Sequence, residues 1–121
     1  MNDAIPIYLQ IAQIIEDDII SGRYQMDDKV PSTNEFAKLL QINPATAGKG
    51  LNDLVNQEIL YKKRGMGMFV TENARNIITK KRQHAFSHYL LPDFLKEAQQ
   101  LDIQKDELIK MIEEIYDVTS D

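Results

Sequence analysis

The first apolar pattern along the chain has helical spacing. Four large side chains recur every three or four residues between Ile7 and Ser21, namely Tyr8, Ile11, Ile15 and Ile19. This periodicity predicts an amphipathic helix with one buried side. Pro6 is a residue typical of a helix start, and Gly22 is typical of a helix end.

A second and a third helix follow with a very short connection. The segment from Ser32 to Glu35 has the S-x-x-E form of a capping box, in which the hydroxyl and the carboxylate each accept a backbone hydrogen bond. We expect a helix from Thr33 to Leu40, whose buried side consists of Phe36, Ala37, Leu39 and Leu40. Asn43 and Pro44 then provide the N-cap and the first residue of a third helix. Two helices joined this closely predict a helix-turn-helix.

The third helix has one apolar and one polar side. Its apolar side consists of Ala47, Leu51, Leu54 and Val55, and its outward side of Ala45, Lys49, Asn52 and Asn56. Gly48 and Gly50 lie in the helix interior, where each glycine costs about 1 kcal/mol relative to alanine. The sequence therefore predicts a soft third helix.

A β-hairpin is predicted directly after the helix-turn-helix. Ile59 to Lys63 has strand character, Arg64 to Gly67 contains two glycines suited to a tight turn, and residues 68–71 form the returning strand. A hairpin in this position is a wing. Three consecutive cations, Lys62, Lys63 and Arg64, favour contact with nucleic acid over a purely structural hairpin.

The remaining residues predict a helical appendix. A helical stretch from Ala74 to Gln100 is interrupted at Pro92, and a last helix runs from Lys105 to Tyr116. These helices cannot bury their apolar surface alone, so we expect a homodimer. The candidate dimerisation residues are Phe86, Tyr89, Leu90, Phe94, Leu108, Met111, Ile112 and Ile115. The predicted division is a winged helix-turn-helix over 1–71 and a C-terminal helical dimerisation segment over 72–121, in a fold that is mainly α with a small β-hairpin.

Composition excludes several kinds of chemistry. The chain has 121 residues and no cysteine, which rules out disulfides, thiolate metal sites and a cysteine nucleophile. We find no set of residues typical of an enzyme or a cofactor site. The sequence also shows no signal segment at its start and no apolar run long enough to span a bilayer, so we expect a cytoplasmic protein without a membrane partner.

Net charge opposes a simple electrostatic attraction to DNA. The formal charge is −5, and residues 1–70 carry seven Lys or Arg against nine Asp or Glu. Any DNA footprint must therefore be local, with the wing as its cationic cluster. An alternative hypothesis is a winged helix that has lost DNA binding and uses its acidic surface against a protein partner.

Four motifs in combination resemble the DNA-binding domain of GntR-type regulators. They are Pro6-Ile7-Tyr8-Leu9-Gln10-Ile11, Val30-Pro31-Ser32, Asn43-Pro44-Ala45-Thr46 and Gly65-Met66-Gly67-Met68-Phe69-Val70. The short helical appendix resembles that of the YtrA-type subfamily. The resemblance implies a homodimeric repressor on a pseudo-palindromic operator, often of a transporter operon, with double-stranded DNA as its partner. The sequence leaves open whether a small-molecule effector exists.

The resemblance also implies which residues face DNA. Residues expected at base edges or phosphates are Ser32, Thr33, Asn34, Asn43, Ala45, Thr46, Lys49, Lys62, Lys63, Arg64, Gly65 and Gly67. Two of them depart from the family pattern, because Asn34 and Lys49 stand where arginines are usual. Lys offers a point charge in place of a planar fork, and Asn offers no charge, which predicts altered affinity or specificity.

Three further features have competing interpretations. His84 and His88 are four residues apart and could share a metal, but a structural or interface role is favoured because further ligands are few. Phe86, Tyr89 and Phe94 could line an effector pocket, although helical spacing favours packing. The run Lys80-Lys81-Arg82 could extend the DNA footprint or be a solvated charge cluster.

Overall fold

The structure is a computed structural model that describes residues 5–119. The order of elements is α1 (Ile7–Ile20), α2 (Thr33–Leu40), α3 (Pro44–Asn56), β1 (Leu60–Lys63), β2 (Gly67–Val70), α4 (Ala74–Ala85), a π-helical turn (Phe86–Leu90), α5 (Leu91–Gln100) and α6 (Lys105–Thr119). The chain forms two compact units, the first ending at Lys81 and the second beginning at Arg82.

The first unit is a winged helix-turn-helix around one core. Most of the predicted apolar stripes of α1 and α3 are buried in it, and Ala74 and Ile78 of α4 join them. Tyr8 and Val55 are only partly buried. Burial of these side chains supplies the main stabilisation, at about 25 cal/mol per Å² of apolar surface removed from water. The predicted fold class, mainly α with a hairpin wing, is confirmed. The prediction that Leu39 is buried is wrong, because this side chain is 73% exposed.

The sheet of the first unit has a third paired segment that the sequence pattern did not reveal. Strands β1 and β2 pair antiparallel, with Leu60 opposite Val70 and Lys63 opposite Gly67. The segment before α2 pairs with the outer side of β2, since Val30 N–H donates to the Met68 carbonyl at 3.0 Å. Lys29 and Phe69 form an isolated antiparallel bridge there. The base of the wing is therefore held by three segments of chain.

The second unit contains the π-helical turn and the last two helices. Pro92 was expected to interrupt the helix, but it lies in the first turn of α5, directly after the π-helical turn. Leu91 N–H donates to the Phe86 carbonyl, five residues earlier. A π-helical turn shifts the hydrogen-bond ladder by one residue, which accommodates a residue that has no N–H.

Apolar side chains of the second unit are largely exposed. Ala98 is the one buried residue among those described between residues 82 and 118. Phe94, Leu108, Met111 and Ile112 border an open apolar groove of ≈ 450 Å³ between α5 and α6. No helix within residues 5–119 is both long enough and apolar enough to cross a membrane.

Candidate nucleic-acid interface

The start of α2 is a complete capping box. Glu35 N–H donates to Ser32 Oγ at 3.1 Å, and Ser32 N–H donates to Glu35 Oε1 at 3.2 Å. The backbone hydrogen bond from Ser32 is the main cause that lowers the pKa of Glu35. The Ser32 hydroxyl and, to a smaller extent, the positive charge of Lys29 act in the same direction against burial. The capping role predicted for Ser32 is confirmed, and its contact with a phosphate stays a prediction.

The start of α3 is also capped by a side chain. Asn43 Oδ1 accepts a hydrogen bond from Ala45 N–H at 2.8 Å, and Pro44 occupies the first turn. The side-chain amide oxygen of Asn43 is thus engaged in capping the N-terminus of α3. Ala45 and Lys49 are exposed and Thr46 is half-buried, so the predicted outward side of the helix is the one that faces solvent.

A shallow polar cleft follows this outward side of α3. Its volume is ≈ 540 Å³, and its lining is Tyr8, Ala45, Gly48, Lys49, Asn52, Asp53 and Asn56. The ammonium of Lys49 lies 4.2 Å from the centroid of the Tyr8 ring. The helical spacing predicts that Tyr8 belongs to the buried side of the first helix, but Tyr8 is half-buried and borders the cleft. A 3.6-residue period shows which side of a helix is apolar and does not show where that side ends.

The tip of the wing carries exposed cations on a tight turn. Met66 N–H donates to the Lys63 carbonyl at 2.9 Å, and Gly65 has a φ of +77°. That backbone conformation suits glycine, which explains the residue at this point. Lys63 Nζ lies 4.7 Å from the centroid of the Phe69 ring, whereas Lys62 projects from the other face of the strand.

The Phe69 face of the wing is braced by a tyrosine. The Tyr61 and Phe69 rings are stacked, with 5.8 Å between centroids. The Tyr61 hydroxyl donates to Asp27 Oδ1 at 2.7 Å, and this hydrogen bond is the main cause that raises the pKa of Tyr61. Burial and the negative charge of Asp27 add to that effect.

Lys29 is a further cation of the wing that sequence reasoning missed. A Cβ atom built on Gly67, whose φ is +123°, would lie 2.9 Å from Lys29 Cε. The stem of Lys29 therefore lies across the bare backbone of Gly67, with its ammonium beside the hairpin. The signal in the sequence was weak, since Lys29 is separated from the wing cations by more than thirty residues.

Successive contacts join the three predicted parts of the interface into one surface. A Cβ atom on Gly48 of α3 would lie 3.5 Å from Thr33 Cγ2, at the start of α2. Glu35, two residues further along, is within electrostatic range of Lys29. Lys29 in turn lies on Gly67 of the wing. The exposed side of α3, the start of α2 and the wing are therefore neighbours, and Asn34 lies exposed beside the capping box. We call this surface the α3–wing surface.

Three further candidates, Lys81, His84 and His88, make contacts other than those that define the α3–wing surface. Lys81 forms an ion pair with the buried carboxylate of Glu16, and its ammonium donates to Gln57 Oε1 at 2.8 Å. Its hydrogen bonds thus tie α4 to α1 and to the end of α3. The rings of His84 and His88 stack with 3.9 Å between centroids. Within the part of the chain that the structure describes, no group of three metal-ligating side chains surrounds them.

The fold and the surface define a protein of the winged helix-turn-helix DNA-binding class. Residues 7–70 match the family described as bacterial regulatory proteins, gntR family. The chain belongs to the GntR family, and the family predicted from its motifs is confirmed. The members of this family are transcription regulators, not enzymes.

Similarity to known regulators continues beyond the winged helix into the C-terminal helices. The chain is 28% identical over 114 residues to the HTH-type transcriptional repressor YtrA of Bacillus subtilis, a match that covers 94% of this chain and 87% of YtrA. This agrees with the predicted likeness to the YtrA-type subfamily. It is 30% identical over 118 residues to the B. subtilis regulator YurK, of which the chain spans about half, 49%.

Solved structures of GntR-type proteins also resemble this chain. A GntR-family regulator from Bacteroides thetaiotaomicron has 34% identity and a TM-score of 0.80, with 91% of this chain and 96% of that chain covered. The DNA-binding domain of AraR in complex with operator ORX1 has 34% identity and a TM-score of 0.53, with 55% of this chain and 81% of that chain covered.

Proposed function

We propose that this protein represses transcription by binding a pseudo-palindromic operator as a homodimer in the cytoplasm. The observation that carries the proposal is the α3–wing surface, in which a capped recognition helix adjoins a hairpin with Lys29, Lys62, Lys63 and Arg64. In this arrangement α3 enters the major groove, and the wing contacts the neighbouring phosphates or minor groove. Repression then results from occlusion of the promoter.

The second unit supports the dimeric part of the proposal. Phe86, Tyr89 and Leu90 are 52%, 70% and 61% exposed, and Ile112 and Ile115 are also exposed. Apolar patches of this kind are rarely left open to water on a monomeric protein. A second copy would cover them and would set two recognition helices one helical turn apart, about 34 Å, on the DNA.

The operator is best tested by selection from a random-sequence duplex pool at low and moderate salt. We expect recovery of an inverted repeat whose affinity falls as salt rises, because phosphate contacts release counterions. The matched control is a variant that carries Lys62→Gln, Lys63→Gln and Arg64→Gln, which should lose most of that salt dependence. Failure of the folded wild-type protein to enrich any sequence would contradict the proposal and favour the alternative of a protein-interaction module, which the net charge of −5 otherwise suits.

A further inference from the structure

Lys49 of the recognition helix does not extend freely into solvent. Its Nζ atom lies 4.2 Å from the centroid of the Tyr8 ring, although Tyr8 belongs to α1. Both side chains border the same polar cleft along α3, together with Ala45 and Asn52. An ammonium over the face of an aromatic ring is attracted by the ring quadrupole, and the effect persists at exposed sites.

A close helix contact holds the backbone of Tyr8 against α3. A Cβ atom on Gly50 would lie 2.7 Å from the Tyr8 carbonyl oxygen and 3.2 Å from Ile11 Cβ. Because Gly50 is the residue directly after Lys49, the backbone of α1 is held against the part of α3 that carries the lysine. The backbone that carries the Tyr8 ring is therefore held beside Lys49 by the core of the first unit, of which Ile11 is a fully buried member.

The contact with Tyr8 restricts the directions in which the Lys49 ammonium can donate hydrogen bonds. A lysine is a compact point charge on a flexible four-carbon stem, so it ordinarily contributes little directional selectivity. With one side of the ammonium against the ring, the N–H groups on its other side are available to a partner in the cleft along α3. Guanine presents two acceptors, N7 and O6, in the major groove, where the N-terminal part of a recognition helix contacts base edges.

We propose that Tyr8 is a positioning residue for DNA recognition. Its ring holds the Lys49 ammonium at one point on α3, so that the pair sets a preference for guanine at one position of each half-site. This inference rests on the proposed function, because it requires an operator. A lysine that contacted phosphate alone would gain affinity from its charge and would not discriminate between bases.

The test uses the full chain and the operator recovered by selection, with each guanine replaced in turn. Tyr8→Leu should reduce the preference for guanine at one position by about two- to fivefold, the range of an exposed cation–π contact. Tyr8→Phe keeps the ring and should preserve the preference. In a Lys49→Gln background, Tyr8→Leu should cause no additional loss. The salt dependence of Tyr8→Leu should equal that of the wild type, since no phosphate contact is removed.

A second measurement keeps the test decisive if Tyr8→Leu destabilises the fold. In the wild type and in Tyr8→Phe, the Lys49 Hε protons should show upfield NMR shifts caused by the ring, and these shifts should change on addition of operator but not of a scrambled duplex. The inference is overturned by unshifted protons, by equal responses to both duplexes, or by additive effects of Tyr8→Leu and Lys49→Gln. If the wild-type protein selects no operator at all, the proposed function has failed instead.

Discussion

The carbonyl oxygen of Tyr8 lies 2.7 Å from the point that a Cβ atom on Gly50 would occupy. No ordinary side-chain atom can be placed at that distance from a backbone oxygen, so α1 and α3 pack here through a glycine. Gly48, one residue earlier than Lys49, has no such constraint, because its Cβ atom would make an ordinary 3.5 Å contact with Thr33 Cγ2. The two glycines of the recognition helix therefore have different roles.

Gly50→Ala and Gly48→Ala should have opposite effects on stability. Gly50→Ala should lower the free energy of unfolding by about 1–3 kcal/mol, because overpacking outweighs the gain in helix propensity. Gly48→Ala should raise it by about 0.5–1 kcal/mol, since the added methyl fits and the unfolded chain loses freedom. Urea denaturation followed by circular dichroism measures both. Stabilisation by Gly50→Ala would show that the helices separate easily.

Lys81 should matter for stability more than its exposed neighbour Lys80. The Glu16 side chain is 4% exposed, and Lys81→Met removes the ammonium that forms an ion pair with this buried carboxylate. We expect a loss of about 1–3 kcal/mol in the free energy of unfolding. Lys80→Met should change it by less than about 0.5 kcal/mol.

A double variant separates the ion pair from the packing of the lysine stem. Glu16→Gln combined with Lys81→Met removes both charges and should recover part of the loss, because a buried carboxylate is costly once its ion pair with Lys81 is removed. Thermal melts of the four proteins form the cycle. A double variant that is less stable than both single variants would contradict this explanation.

The capping box should make stability depend on pH in the acid range. The native pKa of Glu35 is lowered from its ordinary value of 4.5 by hydrogen bonds from Ser32. A lowered native pKa stabilises the fold at every pH above the unfolded value, and this contribution is lost as the pH falls from 4.5 through the native pKa. Glu35→Gln should therefore be less stable than the wild type at pH 7, and the difference should shrink below pH 4.5.

The control for this pH series is Glu72→Gln, which removes one exposed negative charge in the segment before α4. Its stability relative to the wild type should vary less across the same range. Denaturant titrations at several pH values give the comparison. A stability difference for Glu35→Gln that is constant from pH 7 to pH 3 would show that the carboxylate does not act through its charge.

Lys29 should contribute to DNA binding although it lies far from the wing in sequence. Neutralising a lysine that contacts phosphate reduces the slope of log K against log salt by about 1. We expect this reduction for Lys29→Gln with the selected operator. Lys105→Gln, the same charge change in the second unit, should leave the slope unchanged. Equal slopes for wild type and Lys29→Gln would remove Lys29 from the interface.

Charge in the apolar groove should dissociate the proposed dimer. Ile112 is 45% exposed and borders the groove between α5 and α6. Ile112→Asp should therefore yield a monomer by light scattering after size exclusion, with weaker operator binding, because burying an unpaired carboxylate is unfavourable. Lys110→Gln changes the net charge equally and should remain dimeric. A wild-type protein that is already monomeric at micromolar concentration would contradict the dimer.

Much of the first unit could be predicted because its signals are local. The capping box of Ser32 and Glu35, the cap at Asn43 and the turn glycine Gly65 each satisfy backbone requirements within a few residues, so their pattern is visible in the sequence. The motifs that contain them also identified the family. The apolar periods of the helices predicted most of the core side chains, with Tyr8 of α1 and Leu39 of α2 as exceptions.

The tertiary structure decided the relationships between distant residues. Only the packing of α1 on α3 shows why Gly50 is needed and places the Tyr8 ring beside Lys49, and only the third segment of the sheet brings Lys29 to Gly67. The pairing of Lys81 with Glu16 spans 65 positions and likewise has no local signal. Local chemistry determines where elements begin and end. Contacts between elements depend on how the whole core packs, and a single sequence does not encode these in any short pattern.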